Sequence, residues 1–140
     1  MINKTILITG ANGEIGQYLI QKLSKDNNFI IALDLTFNNM RTDKRVQYIR
    51  CSILDDDIIK RIFIKYQINI VFHLAAILST KAEQNHQLAK EVNYFGTKFL
   101  IDQSINSINN HKYPIKFFFP SSIAVYNLSN EKEGIIENTS

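Results

Sequence analysis

The sequence predicts an α/β protein built on a doubly wound parallel sheet, and three features of it lead there. Short, nearly continuous apolar runs rich in β-branched residues alternate with segments of helical periodicity, as a sheet covered on both faces requires. Three of the five glycines, Gly10, Gly13 and Gly16, stand between the first apolar run and the first helical segment. An acid, Asp34, closes the second run.

Thr5 to Thr9, TILIT, reads as the first strand, and EIGQYLIQKLSK after it repeats Ile15, Leu19, Ile20 and Leu23 at helical spacing. Phe29 to Asp34, FIIALD, is a second buried strand, and Val46 to Cys51, VQYIRC, a third with more alternation; a polar loop, TFNNMRTDKR, separates them. Asp55 to Asp57 place negative charge where a helix dipole favours it, opening a helix whose Ile58, Ile59, Ile62 and Phe63 form a face and which runs to about Tyr66. Ile68 to Leu74 is the fourth strand. After an irregular stretch, a periodic segment from His86 to Ile108 predicts a long helix, and Ile115 to Phe119, apolar on both faces, a fifth strand. The tail NLSNEKEGIIENTS has no clear period and reads as loop. There is no internal repeat and no linker, so residues 1–140 are expected to form one domain, with five strands present and the C-terminal part of the fold missing.

Composition narrows the function classes. At 140 residues and 45% apolar, the chain is long enough for one core. The 16 basic and 13 acidic residues are interleaved without a stripe, which argues against a nucleic-acid partner. Ile68 to Leu78, the longest mostly apolar run, contains Asn69 and His73 and falls well short of the ~20 residues that span a bilayer, so no membrane partner is expected. One cysteine, Cys51, and a first strand beginning at Thr5 point to a reducing, cytoplasmic setting. His73, His86 and His111 lack ligand spacing with one another or with Cys51, so no metal site is expected; Cys51 reads as a small buried hydrophobe, and His73, closing an apolar strand, as packed or hydrogen-bonded.

The glycine loop carries the chemistry. One glycine permits a tight turn, one lets the backbone approach a pyrophosphate and one lets helix and strand pack closely, while free N–H groups at the helix start meet the phosphates. The spacing is G-x-x-G-x-x-G, a departure from the commonest dinucleotide fingerprint. Asp34, 18 residues beyond Gly16, can accept hydrogen bonds from the adenosine ribose and disfavours a 2′-phosphate, which makes NAD the expected cofactor. Alone, such an Asp would more often cap a turn; beside the glycine loop the ribose role is preferred. Ligands of open α/β sheets bind where the strand order reverses, expected here between the first and fourth strands.

TGANGEIG at Thr9 to Gly16, HLAA at His73 to Ala76, NYFGT at Asn93 to Thr97 and SSIAVY at Ser121 to Tyr126, in that order, resemble the extended short-chain dehydrogenases/reductases, the NAD-dependent epimerase/dehydratase family with a Rossmann-type fold. HLAAILS and FPSSIAV look nearest to its L-threonine 3-dehydrogenase branch, which oxidises threonine to 2-amino-3-oxobutanoate with NAD; sister branches epimerise or dehydrate nucleotide sugars. The resemblance implies that Gly10, Asn12, Gly13, Glu14, Ile15 and Gly16 line the pyrophosphate, that Asp34 holds ribose, and that Ser52 and Ile53 lie near adenine. It places Leu74, Ala75 and Ala76 on the nicotinamide side, Ser79 toward a small-molecule substrate, Asn93 as a polar anchor behind the nicotinamide and Ser122 on the reacting oxygen; a full-length protein would form a homodimer through the helix bearing Asn93. Ser52 stands where many relatives carry an acid, and Asn127 where many have glycine. Out of that context, Ser121 and Ser122 would simply satisfy backbone at a strand end, and Asn93 would be an ordinary polar helix residue.

The family's chemistry also needs a Tyr-x-x-x-Lys pair after the serine. Tyr18 with Lys22 and Tyr94 with Lys98 both precede Ser122 and sit on helices, and four residues after Tyr126 stands Asn130. The expectation is a chain that carries most of a cofactor site, lacks the catalytic pair and the substrate domain, and is inactive by itself as a dehydrogenase or epimerase, or else serves as a non-catalytic NAD-binding module.

Overall fold

The computed structural model describes residues 3–38 and 40–121. In chain order it places β1 (Thr5–Thr9), α1 (Glu14–Leu23) with a 3-10 turn (Ser24–Asp26), β2 (Phe29–Asp34), β3 (Val46–Arg50), α2 (Asp56–Lys65) and β4 (Ile70–His73). Then come α3 (Ser79–Gln84), α4 (His86–Lys90), a π-helical turn (Glu91–Gly96) that runs into α5 (Thr97–His111), and β5 (Lys116–Phe118). The strands form one sheet in the order β3-β2-β1-β4-β5, every pair parallel. This is the Rossmann-type doubly wound arrangement, and its order reverses between β1 and β4.

The apolar runs of β1 and β2 are continuous because these two central strands are buried on both sides. Ile6 and Ile8 of β1 and Ile30 and Ala32 of β2 pack with Ile20 of α1; Leu7, Ile31 and Leu33 point the other way, toward Ile59, Ile62 and Phe63 of α2 and Leu100 of α5. A period of two thus divides one strand between two cores. Fully burying each such Leu or Ile contributes about 1.5–3 kcal/mol.

Local chemistry sets the boundaries. Asp55 caps α2, its side chain accepting from the Ile58 N–H at 3.1 Å, and Lys65 stands in the last turn. Replacing Asp55 with Ala is expected to cost about 1 kcal/mol in a urea unfolding titration, a typical loss for an N-cap; an unchanged midpoint would show that α2 needs no cap. Regular pairing of β4 begins at Ile70, later than the apolar run suggests, because the Asn69 side chain accepts from the Thr5 N–H at 2.9 Å where a backbone carbonyl would. β3 ends at Arg50, one residue before Cys51.

The stretch after β4 is less irregular than expected: STKAEQ forms α3 without an apolar stripe, and the long helix divides into α4, the π turn and α5. On β5, Phe117 joins the core, whereas Phe118 stacks on Phe72 at 4.9 Å and remains 49% exposed, so among the described residues the strand is not buried on both faces. No helix among the described residues is long and apolar enough to cross a membrane.

Candidate functional site

A cleft of about 420 Å³ opens at the carboxyl ends of the strands, where the strand order reverses. Gly10, Gly13, Asp34, Ser52, Ile53, Leu74, Ala75 and Ala76 line it. Gly10 turns the chain with φ +66°, and a Cβ on it would lie 2.7 Å from both the Leu74 carbonyl carbon and the Ala75 nitrogen. The exits of β1 and β4 therefore touch through a bare Cα. At Gly16 a Cβ would lie 2.6 Å from the Gly10 carbonyl oxygen, so the first turn of α1 rests directly on the loop.

Gly13 is different: a Cβ there would meet only the Gly10 oxygen at 3.3 Å, and the residue takes an ordinary extended backbone at the head of α1. No side chain caps this helix start. Its first N–H groups and its dipole are thus available to an anion beside the cleft. Glu14 and Ile15 are exposed on the first turn and do not line the cleft, and Gly16 lies behind it.

Asp34 joins the two halves of the loop system. Its Oδ2 accepts from the Asn12 N–H at 2.9 Å, which leaves lone pairs on both oxygens for a hydroxyl-bearing ligand. The Asn12 side chain turns away from the cleft and accepts from the Asn38 N–H at 3.2 Å. Ser52 tightens the exit of β3 by accepting from the Leu54 N–H at 3.1 Å. Cys51 lies beside it with a thiol pushed up to about 11, first by burial and then by the charge of Asp55, so it stays protonated and unreactive.

Asn93 sits on the π turn, and its amide accepts from the Ile77 N–H at 2.8 Å while donating to the Ile77 carbonyl at 2.9 Å. It holds the cleft wall without lining the cleft. Ser79 begins α3, immediately after the cleft residue Leu78; Ser122 lies outside the described residues.

Several lining residues carried no signal of their own in the sequence, notably Leu35, Leu54, Leu88 and Val92. Leu88 and Val92 are spaced four apart, which marks a helical face without saying what it faces. His73, fully buried, bridges Thr9 and Thr97. Tyr18 is 59% and Tyr94 58% exposed, and neither they nor Lys22 and Lys98 line the cleft; Lys98 pairs with Asp102 at 2.6 Å. Among the described residues no cluster of His, Cys, Asp or Glu could hold a metal ion.

The donor set suits a dinucleotide. An uncapped helix start answers a pyrophosphate, a carboxylate answers ribose hydroxyls, and apolar walls at Leu35, Ile53 and Leu54 answer a flat base.

A family model described as the NAD dependent epimerase/dehydratase family matches residues 6–140. D-erythronate dehydrogenase of Haemophilus influenzae is 32% identical over 134 residues, a match that covers 86% of this chain and 38% of that protein. The chain thus spans about two fifths of this curated relative's length. Among solved structures, a monomeric L-threonine 3-dehydrogenase from a metagenome matches with TM-score 0.68 and 36% identity, over 88% of this chain and 38% of its own. UDP-glucose 4-epimerase of Thermus thermophilus, solved in complex with NAD, matches with TM-score 0.65 and 26% identity, over 74% of this chain and 34% of its own.

Proposed function

This chain belongs to the NAD-dependent epimerase/dehydratase family, and from that premise we propose that its cleft binds NAD and presents it to a small-molecule substrate in an oxidoreductase of the L-threonine 3-dehydrogenase kind. One observation carries the reading: an uncapped helix start and the Asp34 carboxylate meet at one cleft, at the distance in sequence that a pyrophosphate and an adenosine ribose demand. No Lys or Arg lines this cleft among the described residues, so the backbone N–H groups of α1 and the helix dipole answer the pyrophosphate charge. NAD, when bound, supplies the hydride acceptor.

The chain's own residues bind and orient. Asp34 accepts from the ribose hydroxyls and repels a 2′-phosphate; Ile53 and Leu54 give adenine an apolar bed; Ala75 and Ala76 are small enough for the nicotinamide half to lie against the backbone. In this reading Ser79 meets the substrate and Ser122 hydrogen-bonds its reacting oxygen. The 36% identity with the metagenomic L-threonine 3-dehydrogenase over 88% of the chain supports that substrate. The second reading, a nucleotide-sugar epimerase, is supported by the likeness to the NAD-bound UDP-glucose 4-epimerase.

Calorimetric titration of the chain tests the cofactor. NAD is expected to bind and NADP to bind far more weakly. Asp34→Asn should weaken NAD by about tenfold or more, since hydrogen bonds to a charged acceptor contribute about 1.5–3 kcal/mol. Absence of binding by either nucleotide would overturn the reading, and equal affinity for both would remove Asp34 from it.

A further inference from the structure

Behind the cleft, hydrogen bonds run in one direction through a buried histidine. Thr9 Oγ1 lies 2.6 Å from His73 Nδ1, and His73 Nε2 lies 2.8 Å from Thr97 Oγ1. Thr97 donates its only hydroxyl proton to the Asn93 carbonyl at 2.8 Å, so toward the ring it can only accept, and Nε2 carries the hydrogen. Nδ1 is then bare and accepts from the Thr9 hydroxyl, whose oxygen accepts from the Ala75 N–H at 3.3 Å.

The far end returns to the same wall. Asn93, whose carbonyl ends the run, clamps both backbone groups of Ile77 with its side chain. Ala75 and Ile77 lie in the short irregular segment between β4 and α3 that walls the cleft, past the bond from the Leu74 N–H to the Thr9 carbonyl that ends the pairing with β1. On the same π turn, a Cβ at Gly96 would come within 3.1 Å of Ile53, so this turn also abuts the opposite wall. A widened helical turn is an uncommon feature that recurs at functional sites.

We propose that His73 is a positioning residue, the midpoint of a relay from Ala75 through Thr9, His73 and Thr97 to Asn93 that fixes the Leu74–Ile77 wall and so shapes the nicotinamide half of the cleft. The proposal rests on the reading of this cleft as a dinucleotide site. Its physical basis is that a relay made of hydroxyls and one neutral imidazole specifies a single arrangement, because each member has one donor role and one acceptor role to fill. The aromatic rings of Phe117 and Phe119, 6.1 and 5.7 Å from the imidazole, flank it with apolar surface. Burial pushes His73 down to about 4, which keeps Nδ1 bare at neutral pH.

Thr97→Val keeps the side-chain shape and removes the link, and Thr97→Ser restores the hydroxyl. Imidazole nitrogen shifts and amide hydrogen exchange are read by NMR, alongside calorimetric titration with NAD and with ADP, which lacks the nicotinamide half. In the parent chain the ring is expected as the Nε2–H tautomer. Thr97→Val should speed exchange at Ala75 and Ile77 and weaken NAD, each by about tenfold, as for a buried donor left without its acceptor. ADP affinity should stay within about twofold, and Thr97→Ser should recover all three. Thr9→Val, which cuts the other side of the ring, should act in the same way. An Nδ1–H tautomer in the parent, unchanged exchange at Ala75 in both valine variants, or equal loss of NAD and ADP affinity would overturn the proposal. If the parent binds neither nucleotide, the cofactor reading falls, and the tautomer and exchange measurements still decide the relay.

Discussion

Gly10→Ala is expected to remove roughly 3 kcal/mol or more of folding stability, combining left-handed strain of about 1–2 kcal/mol with the loss of contacts at the β4 exit. Gly10 has φ +66°, and its new Cβ would stand 2.7 Å from the Leu74 carbonyl carbon and the Ala75 nitrogen and 2.8 Å from the Leu74 oxygen. These are backbone atoms, so no rotamer change can make room. Relief requires the β4 exit to move away from β1, which stretches the Leu74 N–H bond to the Thr9 carbonyl, now 3.1 Å, and the Ala75 N–H bond to Thr9 Oγ1. For a domain of ordinary stability, about 5–15 kcal/mol, this is a large fraction of the total. Gly13→Ala is the control: its φ is −66°, and the added methyl meets only one oxygen at 3.3 Å. It should cost far less in urea unfolding than Gly10→Ala, since a single oxygen has only a few tenths of an ångström to give, and on the reading of the cleft as a dinucleotide site it should weaken NAD by crowding the head of α1. Equal stability of the two variants would show that the contact between β1 and β4 is not what demands a glycine at position 10.

That asymmetry marks how far the sequence can be read. The class of the sheet was legible because TILIT and FIIALD are buried on both faces and carry almost no polar interruption, whereas of its strand order only the reversal between the first and fourth strands could be read. The glycine cluster was legible as a loop, but which glycine touches β4 and which faces the cleft depends on a contact across 64 residues, between Gly10 and Leu74, that no local spacing encodes. Asp34 announced itself by position; its bond to the Asn12 N–H did not. α3 was missed because STKAEQ has no apolar stripe to give it a period. The π turn was missed because EVNYFG looks like any helical hexapeptide, and the widening accompanies tertiary contacts, Asn93 to Ile77 and Gly96 against Ile53. His73 could be read as packed or hydrogen-bonded, and it is both, yet its partners Thr9 and Thr97 lie 64 and 24 residues away along the chain.

His73 also makes stability depend on pH in a window of its own. The side chain is fully buried, and burial lowers its pKa from 6.5 to about 4, so the folded protein holds the ring neutral where the unfolded chain would protonate it. Between those values the unfolded state binds more protons, and stability rises with pH. The contribution is complete above 6.5 and is lost as pH falls toward 4; a shift of this size corresponds to about 3 kcal/mol in all, with about 2 kcal/mol gone by pH 5. The other resolved shifts act elsewhere. Asp43, lowered from 3.8 by its hydrogen bond to Arg45, favours the fold above that value, while Lys98, raised from 10.5 by Asp102, matters only in strong alkali. Urea unfolding at pH 7, 6 and 5 should therefore show a falling free energy with an unchanged slope against denaturant, and titration of the His73 ring by NMR should place its midpoint far below that of a free imidazole. Protonation puts a hydrogen on Nδ1, where the Thr9 hydroxyl now donates at 2.6 Å, so the same titration should first disturb the β1 end of the relay, at Thr9 and Ala75. A free energy of unfolding that is flat from pH 7 to 5 would mean that the ring is solvated or charged in the native state, and the buried relay as drawn from the geometry would not exist in solution.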